Sequence, residues 1–165
     1  MTPYKLTEET KMVEGVTLYR IELTEDCIWG KAGTKGGWIE KKSNLIGDAW
    51  ISGDAQVSGN AWVYGNAQVS GDARVSGDAR IFGRTQVYGN AQVSGRAQVF
   101  GRALVSGRAL VYGRALVYSD AQVSGNAQVY GDAQVSGNAQ VYGDDARIFG
   151  NAQVYGGGHV GFLGK

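Results

Sequence analysis

From Ile39 to Val160 an aliphatic residue returns at every sixth position. Ile51, Val57, Val63, Val69, Val75 and Ile81 open a series that runs without a miss to Val141, and Leu45 and Ile39 are in phase before it. Two places ahead of each aliphatic stands a tiny residue, nearly always alanine; Ser43 holds that place before Leu45. An extra residue within Gly143-Asp144-Asp145-Ala146 shifts the phase by one, after which Ile148, Val154 and Val160 resume. The positions between are mostly polar or aromatic: Gln, Arg, Trp or, in three hexads, Leu before the aliphatic, Ser, Tyr or Phe after it, then Gly and one of Asp, Asn or Arg.

A period of six is neither the 3.6 of a helix nor a long hairpin spacing. One β-branched and one tiny inward position per hexad suit a short strand followed by a tight corner. Glycine followed by Asp or Asn supplies the unusual backbone angles that such a corner needs. Three edges make a triangular coil of 18 residues around a narrow, dry core of Val, Ile and Ala. About seven coils at the ~4.8 Å spacing of neighbouring strands make a rod of roughly 34 Å. The chain is therefore expected to be all-β, a parallel β-helix over residues 37–160.

Residues 1–36 break this rhythm. The stretch GVTLYRIEL (Gly15–Leu23) alternates apolar and polar as a strand does, and TKMVEG before it supplies a hairpin partner. The segment is expected to be a β-hairpin cap over the first coil, whose backbone edge would otherwise be open. Cys27, Ile28 and Trp29 are expected to pack at the junction. Residues 161–165 remain as a short tail, with Phe162 and Leu163 either folding over the last coil or meeting another subunit.

The repeat resembles the hexapeptide pattern [LIV]-[GAED]-x-x-[STAV]-x, as in Val57-Ser58-Gly59-Asn60-Ala61-Trp62. Only the second slot departs, holding Ser, Tyr or Phe. The resemblance implies a left-handed β-helix, a hand that the general preference for right-handed crossovers would not give. The front end, YKLTEETK…VTLYRIEL…KAGTKGGWIEKKSNLIGDAW, is similar to the YdcK-type hexapeptide proteins of bacteria and phages. Hexapeptide families include trimeric acyltransferases and carbonic-anhydrase-like enzymes, so the resemblance leaves an enzyme open.

Composition narrows the field. A formal net charge of +1 over 165 residues argues against a general affinity for polyanions. The single proline and 27 glycines fit periodic corners rather than a linker. Cys27 is the only cysteine, no apolar run approaches a membrane span, and the N-terminal stretch has no signal-like apolar core. A cytoplasmic protein is expected.

Residues 18 apart stack, so outward columns follow from arithmetic. Tyr64, Phe82, Phe100 and Tyr118 form an aromatic column in four successive coils. Two places before it run Trp62, Arg80, Gln98 and Leu116; two places after it run Asn66, Arg84, Arg102 and Asp120. This edge admits three readings: a stacking ladder that supports the coils, a self-association surface, or a site for a ligand or nucleic acid. Between Gly83 and Ser119 the only charged residues are Arg84, Arg96, Arg102, Arg108 and Arg114. Column arithmetic pairs Arg102 with Asp120, Arg114 with Asp132 and Arg96 with Asp78. The stretch GRALVSGRALVYGRALVY (residues 101–118) fills one whole coil, so Leu104, Leu110 and Leu116 fall on three different faces. Duplication of one hexad accounts for it.

The chemistry of the enzymatic branches is sparse here. The resemblance implies a catalytic histidine at a subunit interface and a projecting loop, yet His159 is the only histidine and no loop interrupts the repeats. One histidine excludes a three-histidine zinc site, and Asp54, Asp72, Asp144 and Asp145 lack the spacing of calcium-binding β-rolls. Serines such as Ser58 and Ser94 have no base beside them, and no phosphate-binding glycine loop is present. The expectation is a non-enzymatic binding module without cofactor or metal, an accessory protein of a bacterium or phage. Its binding residues are Trp62, Tyr64, Arg80, Phe82, Arg84, Phe100, Arg102, Leu116 and Tyr118, with Arg96, Arg108 and Arg114 as a secondary basic belt. A homo-oligomer (dimer or trimer) is expected, and an acidic protein or phosphate-bearing ligand fits the arginine–aromatic edge; a membrane or nucleic acid is not expected as partner. Two alternatives stand beside it: an acyl-CoA-dependent acyltransferase using His159, and a structural rod that stacks end to end.

Overall fold

The computed structural model describes residues 1–143 and 146–161. They form a left-handed parallel β-solenoid of about seven coils, preceded by antiparallel strands. Strands β1 (Tyr4–Val13) and β2 (Val16–Leu23) make a hairpin, and β2 pairs antiparallel with β3 (Lys35–Ile39), the first strand of the solenoid. From Ile39 on, each hexad contributes one short strand to each of three sheets in turn. The first face continues from β3 through Gln56–Val57 and Arg74–Val75 to Arg147–Ile148. The second runs from Leu45–Gly47 through Trp62–Gly65 and Arg80–Ile81 to Gln153–Val154, and the third from Trp50–Ile51 to His159–Gly161.

The inward positions are those of the six-residue rhythm. Every aliphatic from Ile39 to Val141 and every alanine from Ala49 to Ala139 is buried. Thr85 takes one alanine place, and its hydroxyl, buried among apolar neighbours, donates to Phe82 O at 2.7 Å. Registers advance by 18 residues, Ile81 between Val63 and Val99 for example, and by 19 across the extra residue, Val129 to Ile148. The calcium consideration at Asp144 and Asp145, and the proposed fold-over of Phe162 and Leu163, lie outside the described residues.

Each corner turns on a glycine with positive φ, and one coil breaks the rule. Ser119, at φ 63°, stands in the column otherwise held by Gly47, Gly65, Gly83, Gly101, Gly137 and Gly156. A left-handed conformation costs an L-residue other than glycine about 1 kcal/mol. Ser119→Gly is therefore expected to stabilise the rod, raising the midpoint of urea unfolding by an amount worth ~0.5–1 kcal/mol.

The capped end differs from expectation in three respects. First, the hairpin covers the coil by prolonging the first face with two antiparallel strands, Ile21 and Leu23 joining the core, and β1 begins at Tyr4, well ahead of the expected TKMVEG. Its turn, Glu14–Gly15, has positive φ at both central residues (51° and 81°), the two-residue hairpin geometry that matches strand twist. Second, Ile28 points outward, 80% exposed, while Cys27 and Trp29 pack against the core. Third, Ser43 is exposed and Asn44 takes the buried place, because a single 3-10 turn (Lys42–Asn44) precedes Leu45.

Each coil's carbonyls accept from the N–H groups of the coil before it, as Trp62 N–H donates to Ala79 O. The first coil has no predecessor, and groups of the N-terminal segment donate to it instead. Thr2 N–H and hydroxyl donate to Gly47 O and Ala49 O, the Tyr4 hydroxyl to Leu45 O, and the Trp29 indole to Asp48 O. Burial raises the Tyr4 pKa, which keeps that hydroxyl a donor. One coil further on, the 3-10 turn spends the Asn44 backbone N–H on Lys41 O, and the Asn44 side-chain amide instead serves the second coil, donating to Gly59 O (3.1 Å) and Ala61 O (2.9 Å). Buried carbonyls without partners would cost about 1–3 kcal/mol each.

Candidate binding face

Within a strand the residues on either side of the inward aliphatic point outward together, so each face carries two outward columns bordered by two corner columns. On the second face these are, in chain direction, Asn60/Asp78/Arg96/Arg114, then Trp62/Arg80/Gln98/Leu116, then Tyr64/Phe82/Phe100/Tyr118, then Asn66/Arg84/Arg102/Asp120. All nine residues expected at the binding edge therefore share one face. Arg96 and Arg114 border it on the opposite side. Arg108 does not join them; it lies on another corner, in the column of Asn90 and Asn126.

The third of these columns is a continuous ring stack. Tyr64, Phe82, Phe100 and Tyr118 have centroids 4.8, 4.9 and 5.0 Å apart, with interplanar angles of 8° or less. Strand spacing sets this distance, so the backbone ladder imposes the stack on the side chains. Ring faces inside the stack are consumed by their neighbours, and what is left for a partner is the row of ring edges.

Beside the ridge lies a groove of about 440 Å³ lined by Asn60, Trp62, Asp78, Arg80, Arg96 and Gln98. Trp62 is 43% exposed, and the Arg80 guanidinium sits 5.5 Å from its ring centroid. A cation over an indole face is attracted by the ring quadrupole, which holds the Arg80 guanidinium beside Trp62 in the groove lining. Asn60 donates to Asp78 Oδ1 at 3.3 Å.

The three ion pairs expected from column arithmetic are all present, with unequal geometry. Arg102 holds Asp120 closely, at 2.8 Å from Nε and 3.0 Å from Nη2. Arg96 with Asp78 and Arg114 with Asp132 reach only 4.0 Å. All six side chains are well exposed, so each pair contributes ~0–1 kcal/mol to folding. Their charges remain accessible at the borders of the face. Leu104, Leu110 and Leu116 fall on the third, first and second faces, as the 18-residue coil requires.

Two features escaped the sequence reading. A second stack, Tyr112, Tyr130 and Phe149, runs along the first face with centroids 4.9 and 5.5 Å apart. The spacing of 18 from Tyr112 to Tyr130 was available in the sequence, and the extra residue disguised Phe149. The other is a charged cluster where the hairpin meets the first face. Arg20 and Lys11 stand 4.9 and 4.4 Å from the Trp38 ring centroid, and the Trp38 indole donates to Asp54 Oδ1 at 3.3 Å. Burial lowers the Lys11 pKa, while the nearby Asp54 opposes the shift. Trp38 itself is buried, and the cluster fastens the cap to the rod.

His159 is exposed on the last described strand of the third face. Among the described residues no group of three His, Cys, Asp or Glu side chains is placed to hold a metal ion. No helix among them is long and apolar enough to cross a membrane.

A triangular parallel coil with an outward pair of columns on each face defines a β-solenoid protein. The particular kind follows from the repeat: the family model of the YdcK β-solenoid repeat matches residues 49–65, 55–71, 67–83, 73–89 and 121–137, so the solenoid carries repeats of the YdcK type. Trp62, Tyr64, Arg80 and Phe82 lie inside matched stretches, whereas the Arg–Leu coil 101–118 lies between them. No curated protein matches the chain.

Proposed function

We propose that this protein is a non-enzymatic binding module and that the second face is its working surface. The observation that supports this most is the four-ring ridge running beside the Trp62–Arg80 groove, on a rod whose third face presents mostly Gln and Ser. Contiguous aromatic edges bordered by arginines make a contact surface rich in the residues that dominate binding energies. The consumed ring faces leave no platform for stacked bases and favour a protein partner.

Phe82→Ser combined with Phe100→Ser is the direct test. The double variant should lose self-assembly and capture of any partner at least tenfold, with an unchanged far-ultraviolet circular dichroism spectrum. Both side chains are outward, so the core is untouched. Undiminished assembly and capture in a folded double variant would overturn the assignment of the second face.

A further inference from the structure

We infer that the partner of the second face is another copy of the same chain, docked face to face with the two rods parallel. The inference rests on the binding role proposed for this face and specifies its occupant.

A two-fold axis parallel to the rods reverses the order of the four columns while keeping the coils level. The ridge of one copy then lies opposite the Trp62/Arg80/Gln98 column that lines one side of the other's groove, twice over. Phe82 meets Arg80 of the second copy, Phe100 meets its Gln98, and Tyr64 meets its half-exposed Trp62. A two-fold axis across the rods sets ridge against ridge and groove against groove, leaving both grooves unfilled. Shape alone therefore selects the parallel pairing.

Charge agrees with shape at the borders. The same operation places Asp78 opposite Arg84 of the second copy, twice in the dimer, and brings the second copy's Arg114 up to the Asp120 carboxylate that Arg102 already holds. Within its own chain Asp78 has only two long, exposed contacts, the Asn60 amide at 3.3 Å and Arg96 at 4.0 Å, which a closer cation on a second copy can replace. Arg96 and Arg102 face each other in the level between; Arg102 there is already neutralised by Asp120 at 2.8 Å. The size is adequate as well. Seven coils at ~4.8 Å on a face ~18 Å wide offer roughly 600 Å² per copy, or ~1,200 Å² in all, the lower end of specific interfaces.

Sedimentation equilibrium of the full chain up to about 100 µM tests the pairing, since an interface of this size gives affinities from micromolar upward. The unaltered chain should sediment at twice the chain mass. Asp78→Arg should weaken the dimer at least tenfold, because it sets like charges together at two places. Adding Arg84→Asp to that variant should restore the dimer to within about threefold of the original. The rescue is specific to the parallel arrangement, because only there do columns one and four face each other. Thermal melts of both variants separate lost pairing from lost folding. A chain that stays monomeric, or a charge swap that fails to rescue, overturns the parallel dimer. In the monomeric case the binding role itself is still decided by capture with the Phe82→Ser, Phe100→Ser variant.

Discussion

Ala97→Leu is expected to cost about 3 kcal/mol or more and to lower the melting temperature by roughly 6–12 °C. Ala97 is fully buried, with Ala79 and Ala115 directly above and below it one strand spacing away. The hydrogen bonds that set this spacing, Arg80 N–H to Ala97 O at 3.0 Å and Gln98 N–H to Ala115 O at 2.9 Å, hold three consecutive coils in place. A leucine side chain has no rotamer that escapes along the axis, because the neighbouring alanine columns are equally tight. It must push Val93 and Val99 outward across a core only one side chain deep. Calorimetric melting checks this. Ala97→Ser, of nearly the same volume, serves as the comparison: a loss as large as that from leucine would mean that steric fit is not what alanine provides.

Gly83→Val is expected to be worse still, about 3–5 kcal/mol, enough to leave little soluble protein. A Cβ at Gly83 would sit 2.8 Å from Gly101 O, and that oxygen already accepts from Arg84 N–H at 2.7 Å. The backbone φ of 81° adds strain that a β-branched side chain bears badly. Gly150→Val isolates the second cause. It shares the left-handed φ, 62°, but its added Cβ meets no described atom within 4 Å. The difference between the two variants in soluble yield and urea midpoint measures the contact between successive corners. Equal losses would show that backbone strain alone governs these positions.

The regularity of the repeat made most of the molecule legible before any coordinates. Column membership, the stack from Tyr64 to Tyr118 and the three Arg–Asp pairs all follow from adding 18, because parallel in-register strands convert sequence distance directly into height. What could not be read lies where that arithmetic stops. Asn44 displaces Ser43 because a 3-10 turn spends its backbone N–H on Lys41 O and leaves its side-chain amide to serve Gly59 O and Ala61 O of the second coil, a need invisible in a hexad pattern. The hairpin extends one sheet because β2 satisfies the edge of β3, a pairing between segments that share no period. The groove beside the ridge also went unread. It depends on how far Arg80 leans over Trp62, which is a matter of side-chain conformation rather than of position in the repeat.

The 18-residue coil also constrains how such a rod can change its length. Adding or removing 18 residues lengthens or shortens it and leaves every later residue facing the same way. Adding six turns all that follows by a third of a revolution, moving an aromatic column onto a neighbouring face. The single extra residue near Gly143 does neither, since Gln128 still pairs with Arg147 and Tyr130 still stacks on Phe149. Corners thus absorb small insertions silently, whole coils can be copied without disturbing a binding face, and a lone hexad duplication rewires it. The Arg–Leu stretch spans one complete turn, so its removal as a unit would leave every later residue on its own face.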